Sequence, residues 1–98
     1  MTAKVVFRPA ARAEFDGATL WYEDRRPGLG AEFVSEIDNA VDLASKYPDR
    51  YPLKLKDIRC VPARRFPYSI YYVVEADQIV VLAVFHARRD PAIWQSRA

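Results

Sequence analysis

Seven consecutive apolar residues, Ile79 to Phe85, constrain this chain more than any other stretch. An unbroken run of this length, rich in Ile, Val and Phe, reads as a central strand buried on both faces. It is far short of the roughly 20 residues that cross a bilayer. The rest of a 98-residue chain must therefore cover both sides of one strand. Such a chain buries only about 60–68% of its unfolded surface, so most of the sequence serves the fold. We expect one domain over residues 1–98, with little room for an elaborate cofactor site and no cofactor.

The flanking pattern supplies the cover. Lys4-Val5-Val6-Phe7 reads as a short strand closed by Pro9, which also suits the first position of a helix. Ala11, Phe15, Ala18 and Tyr22 then recur at i, i+4, i+7 and i+11, one face of an amphipathic helix. Gly17 weakens that helix by about 1 kcal/mol relative to Ala, and so predicts a packing contact there. Pro27-Gly28 marks a turn. Leu29, Phe33, Ile37, Ala40, Val41 and Ala44 form a second helical stripe, ended by Pro48. Two helices and a short turn make an αα-hairpin. Residues 48–57 read as a Pro-interrupted loop. Beyond it the period falls to two: Ile58 to Pro62, then Phe66 to Val74, a polar turn at 75–78, and the apolar run. Pro91 to Arg97 offers a short helix carrying Ile93 and Trp94. The expected class is α+β, ordered β-α-α-β-β-β, with the N-terminal strand and hairpin packed on a small, mainly antiparallel sheet.

Charge and cysteine content exclude several functions. One cysteine, Cys60, makes no internal disulfide. With one histidine beside it, a closed zinc site of His and Cys side chains is impossible within one chain, and no metal is expected. The N-terminus has no apolar core of signal-peptide length, which points to the cytoplasm and away from membranes. Fifteen basic against thirteen acidic residues leave +2, too mild to signal nucleic-acid binding. That sum is unevenly spread. Residues 1–57 carry nine basic and ten acidic side chains (−1), and residues 58–98 carry six Arg and three acids (+3).

Arg59, Arg64, Arg65, Arg88 and Arg89 are thus candidates for an anion-contacting rim, since guanidinium forks match phosphates and carboxylates. The bland alternative is a solvated rim with local ion pairs. His86 has the intrinsic pKa for general acid or base work. Cleaving RNA nevertheless requires a base, an acid and cationic support, and no second proton carrier is marked by spacing. Catalytic candidates are limited to His86, Arg89 and Arg59. Phe66, Tyr68, Tyr71 and Tyr72 suit base stacking or, more simply, a sheet core. Leu20 and Trp21 lie off the centre of the first stripe and suit a partner surface. Trp94 suits either a partner surface or a fold back over the sheet.

The residues taken together resemble a family. Val6-Phe7-Arg8-Pro9-Ala10-Ala11, Trp21-Tyr22, Phe33 to Ala44, Tyr47-Pro48, Ile58-Arg59, Phe66-Pro67-Tyr68-Ser69-Ile70-Tyr71-Tyr72 and Val80 to Phe85 followed by His86-Ala87-Arg88-Arg89-Asp90 are similar to toxins of the RelE/ParE superfamily of bacterial toxin–antitoxin systems, often labelled plasmid-stabilisation proteins. The similarity runs from about Lys4 to Trp94. It implies the β-α-α-β-β-β fold and a cognate antitoxin whose C-terminal segment wraps the toxin, here expected at Leu20, Trp21 and Trp94. It implies one of two targets. ParE-like members poison DNA gyrase; RelE-like members cut mRNA on the ribosome. RelE-like nucleases carry a third-strand arginine where this chain has Ser69, and a second-strand basic residue where it has Val61. The C-terminal tyrosine region reads Ile93-Trp94-Gln95. The incomplete nuclease set favours the ParE-like branch, acting by binding. An inactive homologue that only binds antitoxin and helps repress its operon is the third possibility.

Overall fold

The computed structural model describes residues 2–98. In chain order its elements are β1 (Lys4–Phe7), α1 (Pro9–Arg25), α2 (Leu29–Lys46), β2 (Leu53–Leu55), β3 (Ile58–Pro62), β4 (Tyr68–Glu75), β5 (Gln78–His86) and α3 (Ala92–Gln95). They build one five-stranded sheet in the order β1-β5-β4-β3-β2. β1 runs parallel to β5, with Lys4 opposite Gln78 and Phe7 opposite Val81, and the other pairings are antiparallel. The apolar run is indeed an interior strand, buried from Ile79 to Phe85. No helix is long and apolar enough to cross a membrane among the described residues.

β2 stands inside the segment that the sequence presents as a loop. It has three residues, follows Pro52 and exposes Leu53, so its Leu-Lys-Leu alternation is too short to be read. As an edge strand it pairs only with β3, through an irregular register.

One face of the sheet is covered by the helical hairpin. Ala11, Phe15 and Ala18 of α1 and Phe33, Ile37, Ala40, Val41 and Ala44 of α2 pack on Val61, Ile70, Tyr72, Ile79, Val81 and Val84. Phe33 is fully buried at the centre of an aromatic cluster, its ring 5.0–6.0 Å from those of Phe15, Tyr22, Phe66 and Tyr68. The hairpin closes through Glu23, whose carboxylate accepts from the backbone N–H groups of Gly28 and Gly30. It thereby caps α2 from the preceding helix. Gly28 holds φ +89°, where only glycine is unstrained. At Gly30 a Cβ would come within 3.0 Å of the Thr19 carbonyl oxygen.

The expectation for Gly17 fails. A Cβ there would meet nothing within 4 Å, because Gly17 lies on the exposed side of α1 rather than against α2 or the sheet.

The opposite face is covered by the tail. Trp94 of α3 stacks on Tyr71 with ring centroids 4.1 Å apart and planes at 16°. It joins Ile58, Val73, Val80, Leu82, Ala83 and Phe85 in a second core. Of the two expectations for Trp94, the fold back over the sheet holds. At 5% exposure this residue offers no partner surface in this conformation.

The tail is also held by charge. β1 ends opposite Val81, which leaves the adjoining edge of β5 open beyond that point. Glu14 of α1 fills part of this gap by accepting from the Val84 N–H at 3.1 Å. Arg97 donates to the Leu82 carbonyl and to both Glu14 oxygens at 2.9–3.0 Å, and Arg89 donates to Glu14 at 2.7 Å. Side chains therefore satisfy a strand edge that β1 is too short to cover.

Tyr72 fixes the segment after α2. It is wholly buried, and its hydroxyl donates to the Pro48 carbonyl at 2.8 Å. Burial pushes its pKa up to about 12, against the opposing pull of Arg59. Burial, and then the neighbouring Cys60, also push Tyr71 up to about 12. Both phenols favour the neutral form more strongly in the folded state than in the unfolded state, where they ionise near pH 10. Their contribution is complete below about pH 10 and is lost as pH rises towards 12. We expect the denaturant midpoint to fall clearly between pH 8 and pH 11. Tyr71→Phe with Tyr72→Phe should flatten that fall, at a neutral-pH cost of about 1 kcal/mol for the lost Pro48 bond. Equal wild-type midpoints at the two pH values would contradict this.

Candidate functional site

The candidate site depends on one irregularity in β5. Tyr71 pairs with Ala83 and Tyr72 with Val81, so Leu82 is an unpaired bulge residue. The bulge changes which side chains face the helices. Before it these are Ile79 and Val81; after it, Val84. Val80, Leu82, Ala83 and Phe85 face the tail. The shifted phase carries on to His86, whose ring meets the edge of Tyr68 at 5.1 Å on the helical side.

His86, Tyr68, Tyr22, Trp21, Ala18 and Gly17 line an open groove of about 340 Å³ between α1 and the end of the sheet. Trp21 stands 52% exposed beside it, and the next residue back, Leu20, is 69% exposed. Both places agree with the sequence reading of an apolar surface off the helix stripe. The Arg25 guanidinium lies 4.1 Å over the Trp21 ring. Large exposed aromatics on a small domain signal a surface normally covered by a partner.

The groove's phenols are quiet. Burial pushes the Tyr22 and Tyr68 phenols above their ordinary value. Both remain neutral donors at physiological pH rather than bases. His86 Nδ1 accepts from the Arg88 N–H at 3.0 Å, which puts the proton of a neutral ring on Nε2. One imidazole, His86, lines the groove, with no carboxylate or lysine beside it. Among the described residues no group of three or more His, Cys, Asp or Glu is placed to hold a metal ion.

The five arginines do not form one rim. Arg59 lies three residues before the β3 end that reaches the groove side, opposite Tyr72 rather than Ser69. Its guanidinium donates to the carbonyls of Tyr51 and Asp49 at 2.7 and 3.3 Å, where it braces the loop before β2. Arg65 is paired with Glu32 at 2.6 Å and Glu36 at 3.8 Å on α2. This pair holds Glu32 below, and Arg65 above, their ordinary pKa values. Arg89 is engaged by Glu14 and stacks on Phe85. Only Arg64 and Arg88 of the set are exposed without an acidic partner among the described residues. Sequence reading found the charges but not their partners, because Glu14 and Arg89 are 75 residues apart. It also missed Glu14 itself and the groove tyrosine Tyr22.

Ser69, where the nuclease pattern has a third-strand arginine, shares a small hollow with Tyr71, Phe85, His86, Arg89 and Trp94. Ser69 does not line the groove between α1 and the sheet, whereas His86 borders both hollows. The arrangement offers apolar contact area, neutral hydroxyl donors and a few free cations. This suits the capture of a protein segment better than the transfer of a proton.

Two comparisons with known proteins are informative, one on the fold and one on the family. No curated protein matches the sequence. A solved structure described as a chromosomal ParDE TA system from P. aeruginosa superimposes with a TM-score of 0.77 at 18% identity, covering 89% of this chain and 98% of that one. Its likeness establishes the β-α-α-β fold with its sheet. A family model described as the ParE toxin of type II toxin–antitoxin system, parDE, matches residues 5–91, from the first strand to the turn before α3. With nearly the whole sheet and the hairpin inside that match, the chain belongs to the ParE toxin family of type II toxin–antitoxin systems.

Proposed function

We propose that this protein inhibits DNA gyrase by binding and is neutralised by a cognate antitoxin seated along α1 at Leu20 and Trp21. One observation carries the proposal: an exposed aromatic groove whose lining holds one imidazole and no carboxylate, lysine or second histidine. A ribonuclease active site needs two proton carriers and cationic support. Here Tyr22 and Tyr68 are held neutral, and Arg59 and Arg89 are engaged in the fold. Membership in the ParE toxin family supports the same branch, and the ParDE description of the structural neighbour supports an antitoxin partner.

Purified gyrase supercoiling relaxed plasmid is the direct test. Supercoiling should stop at saturating protein and recover when antitoxin is added. Undiminished supercoiling overturns the proposal. The close approach of His86 and Tyr68 keeps one alternative concrete, ribosome-dependent mRNA cleavage. Intact translated mRNA in arrested cells excludes it. Growth arrest itself excludes the inactive-homologue alternative.

A further inference from the structure

The turn that follows β5 is closed by an imidazole. His86 Nδ1 accepts from the Arg88 N–H at 3.0 Å, two residues on. An Asp or Asn side chain closes a turn in the same way. An imidazole does so only while the Nδ1 lone pair is free. The rest of the turn fastens the tail. The Arg89 N–H donates to the His86 carbonyl at 3.1 Å, and the Arg89 guanidinium reaches Glu14 at 2.7 Å. Asp90 accepts from the Ala92 N–H at 2.9 Å, at the start of α3. Trp94 follows, stacked on Tyr71. Arg97, beyond α3, binds the same Glu14 carboxylate as Arg89. One carboxylate thus ties the tail at both ends, and His86 stands beside the nearer of them.

We propose that His86 is a proton-operated catch on the C-terminal tail, closed while the ring is neutral. A proton on Nδ1 turns the acceptor into a donor that meets another donor, the Arg88 N–H. The ring must then swing away, or the turn must open. The surroundings offer the new charge no partner. On β4 the ring meets the edge of Tyr68 at 5.1 Å. On α1, Tyr22 shares the groove with it, and in the second hollow Tyr71 and the cationic Arg89 border it. Among the described residues no carboxylate lines either hollow. Glu14 is taken by Arg89 and Arg97, and Asp90 turns to the Ala92 N–H. The open turn therefore takes up a proton that the closed turn refuses. Closure weakens as pH falls through the ordinary imidazole range, about 6.5. Arg97 keeps the far end of the tail tied, so the near end moves: Arg89, Asp90 and the stack of Trp94 on Tyr71. His86 also borders the groove between α1 and the sheet, so the same proton reshapes that wall.

The test is a nuclear magnetic resonance titration of the full chain from pH 8 to pH 5.5, made simple by one imidazole and two indoles. At pH 8 the ring should carry its proton on Nε2 and leave Nδ1 bare. As the ring titrates, the Arg88 amide and the Trp94 indole should shift with the same midpoint. The Val84 amide, held by Glu14, should not. Exchange of the Arg88 amide proton, corrected for its intrinsic pH dependence, should rise about two- to tenfold on protonation, the worth of one hydrogen bond. His86→Asn supplies an acceptor that does not titrate, and should hold the Trp94 resonance at its pH 8 position throughout. His86→Phe keeps a ring against Tyr68 but has no acceptor, and should hold that resonance at its acid position throughout. A proton on Nδ1 at pH 8 overturns the proposal. So does a Trp94 indole that ignores the titration of the ring, or a His86→Asn variant whose Trp94 titrates as in wild type.

Discussion

Glu14→Ala is expected to remove about 3 kcal/mol of stability, which for a chain of this length lowers the thermal midpoint by roughly 12–24 °C. The carboxylate is only 12% exposed and makes four contacts of different kinds. It accepts from the Val84 N–H on the open edge of β5, takes both nitrogens of Arg97 and binds Arg89. Its removal leaves Arg97, 22% exposed, without a counter-ion and one strand N–H without a protein acceptor. Glu14→Gln keeps the acceptor for Val84 and should cost about half as much. Arg97→Ala should cost less than either change predicts when combined with Glu14→Ala, because the two act as one unit. Far-ultraviolet melting curves measure all of these. A Glu14→Ala midpoint within about 2 °C of wild type would mean that the tail is not held this way.

Phe33→Ala carries the second large effect, about 3–5 kcal/mol. The ring is fully buried and touches aromatic rings from α1, β4 and the turn before β4. Each such pair adds about 0.5–1.5 kcal/mol beyond the area it buries. Since Tyr22 and Tyr68 lean on this ring and line the groove, the variant should also lose partner binding. Phe33→Leu should restore most of the stability but less of the binding, because leucine fills volume without fixing the tilt of the tyrosines. Urea midpoints give the first result and titration with the cognate antitoxin the second. A cost under about 1 kcal/mol for Phe33→Ala would displace the core from its assigned place.

These residues show what a sequence reveals and what it hides. The helical stripe from Phe33 to Ala44 and the apolar run from Ile79 to Phe85 were legible because burial imposes a period, and the period survives in one dimension. The bulge at Leu82 was not, because an extra residue in a uniformly apolar strand leaves the pattern unchanged while it reverses the faces. β2 was hidden for a different reason: Leu53-Lys54-Leu55 alternates only once, too briefly to stand out from a loop. At the candidate site, Leu20 and Trp21 could be found from their offset on a helical wheel. The arginines were visible as charge but not as partners, since ion pairs such as Arg65 with Glu32 form between distant parts of the chain. Gly17 was noticed for its cost and assigned an internal contact, where the structure leaves open space.

The pairing of β1 with β5 sets an order of events during synthesis. Lys4 to Phe7 leave the ribosome well before their partners, Gln78 to Val81, which lie beyond both long helices and three strands in the chain. The hairpin has no sheet to cover until β5 arrives, since Ile79, Val81 and Val84 supply much of the surface it packs on. The groove has no far wall until His86 has been added. A member of a toxin family built this way forms this groove only after β5 has been made, so a chain interrupted before β5 is released without it.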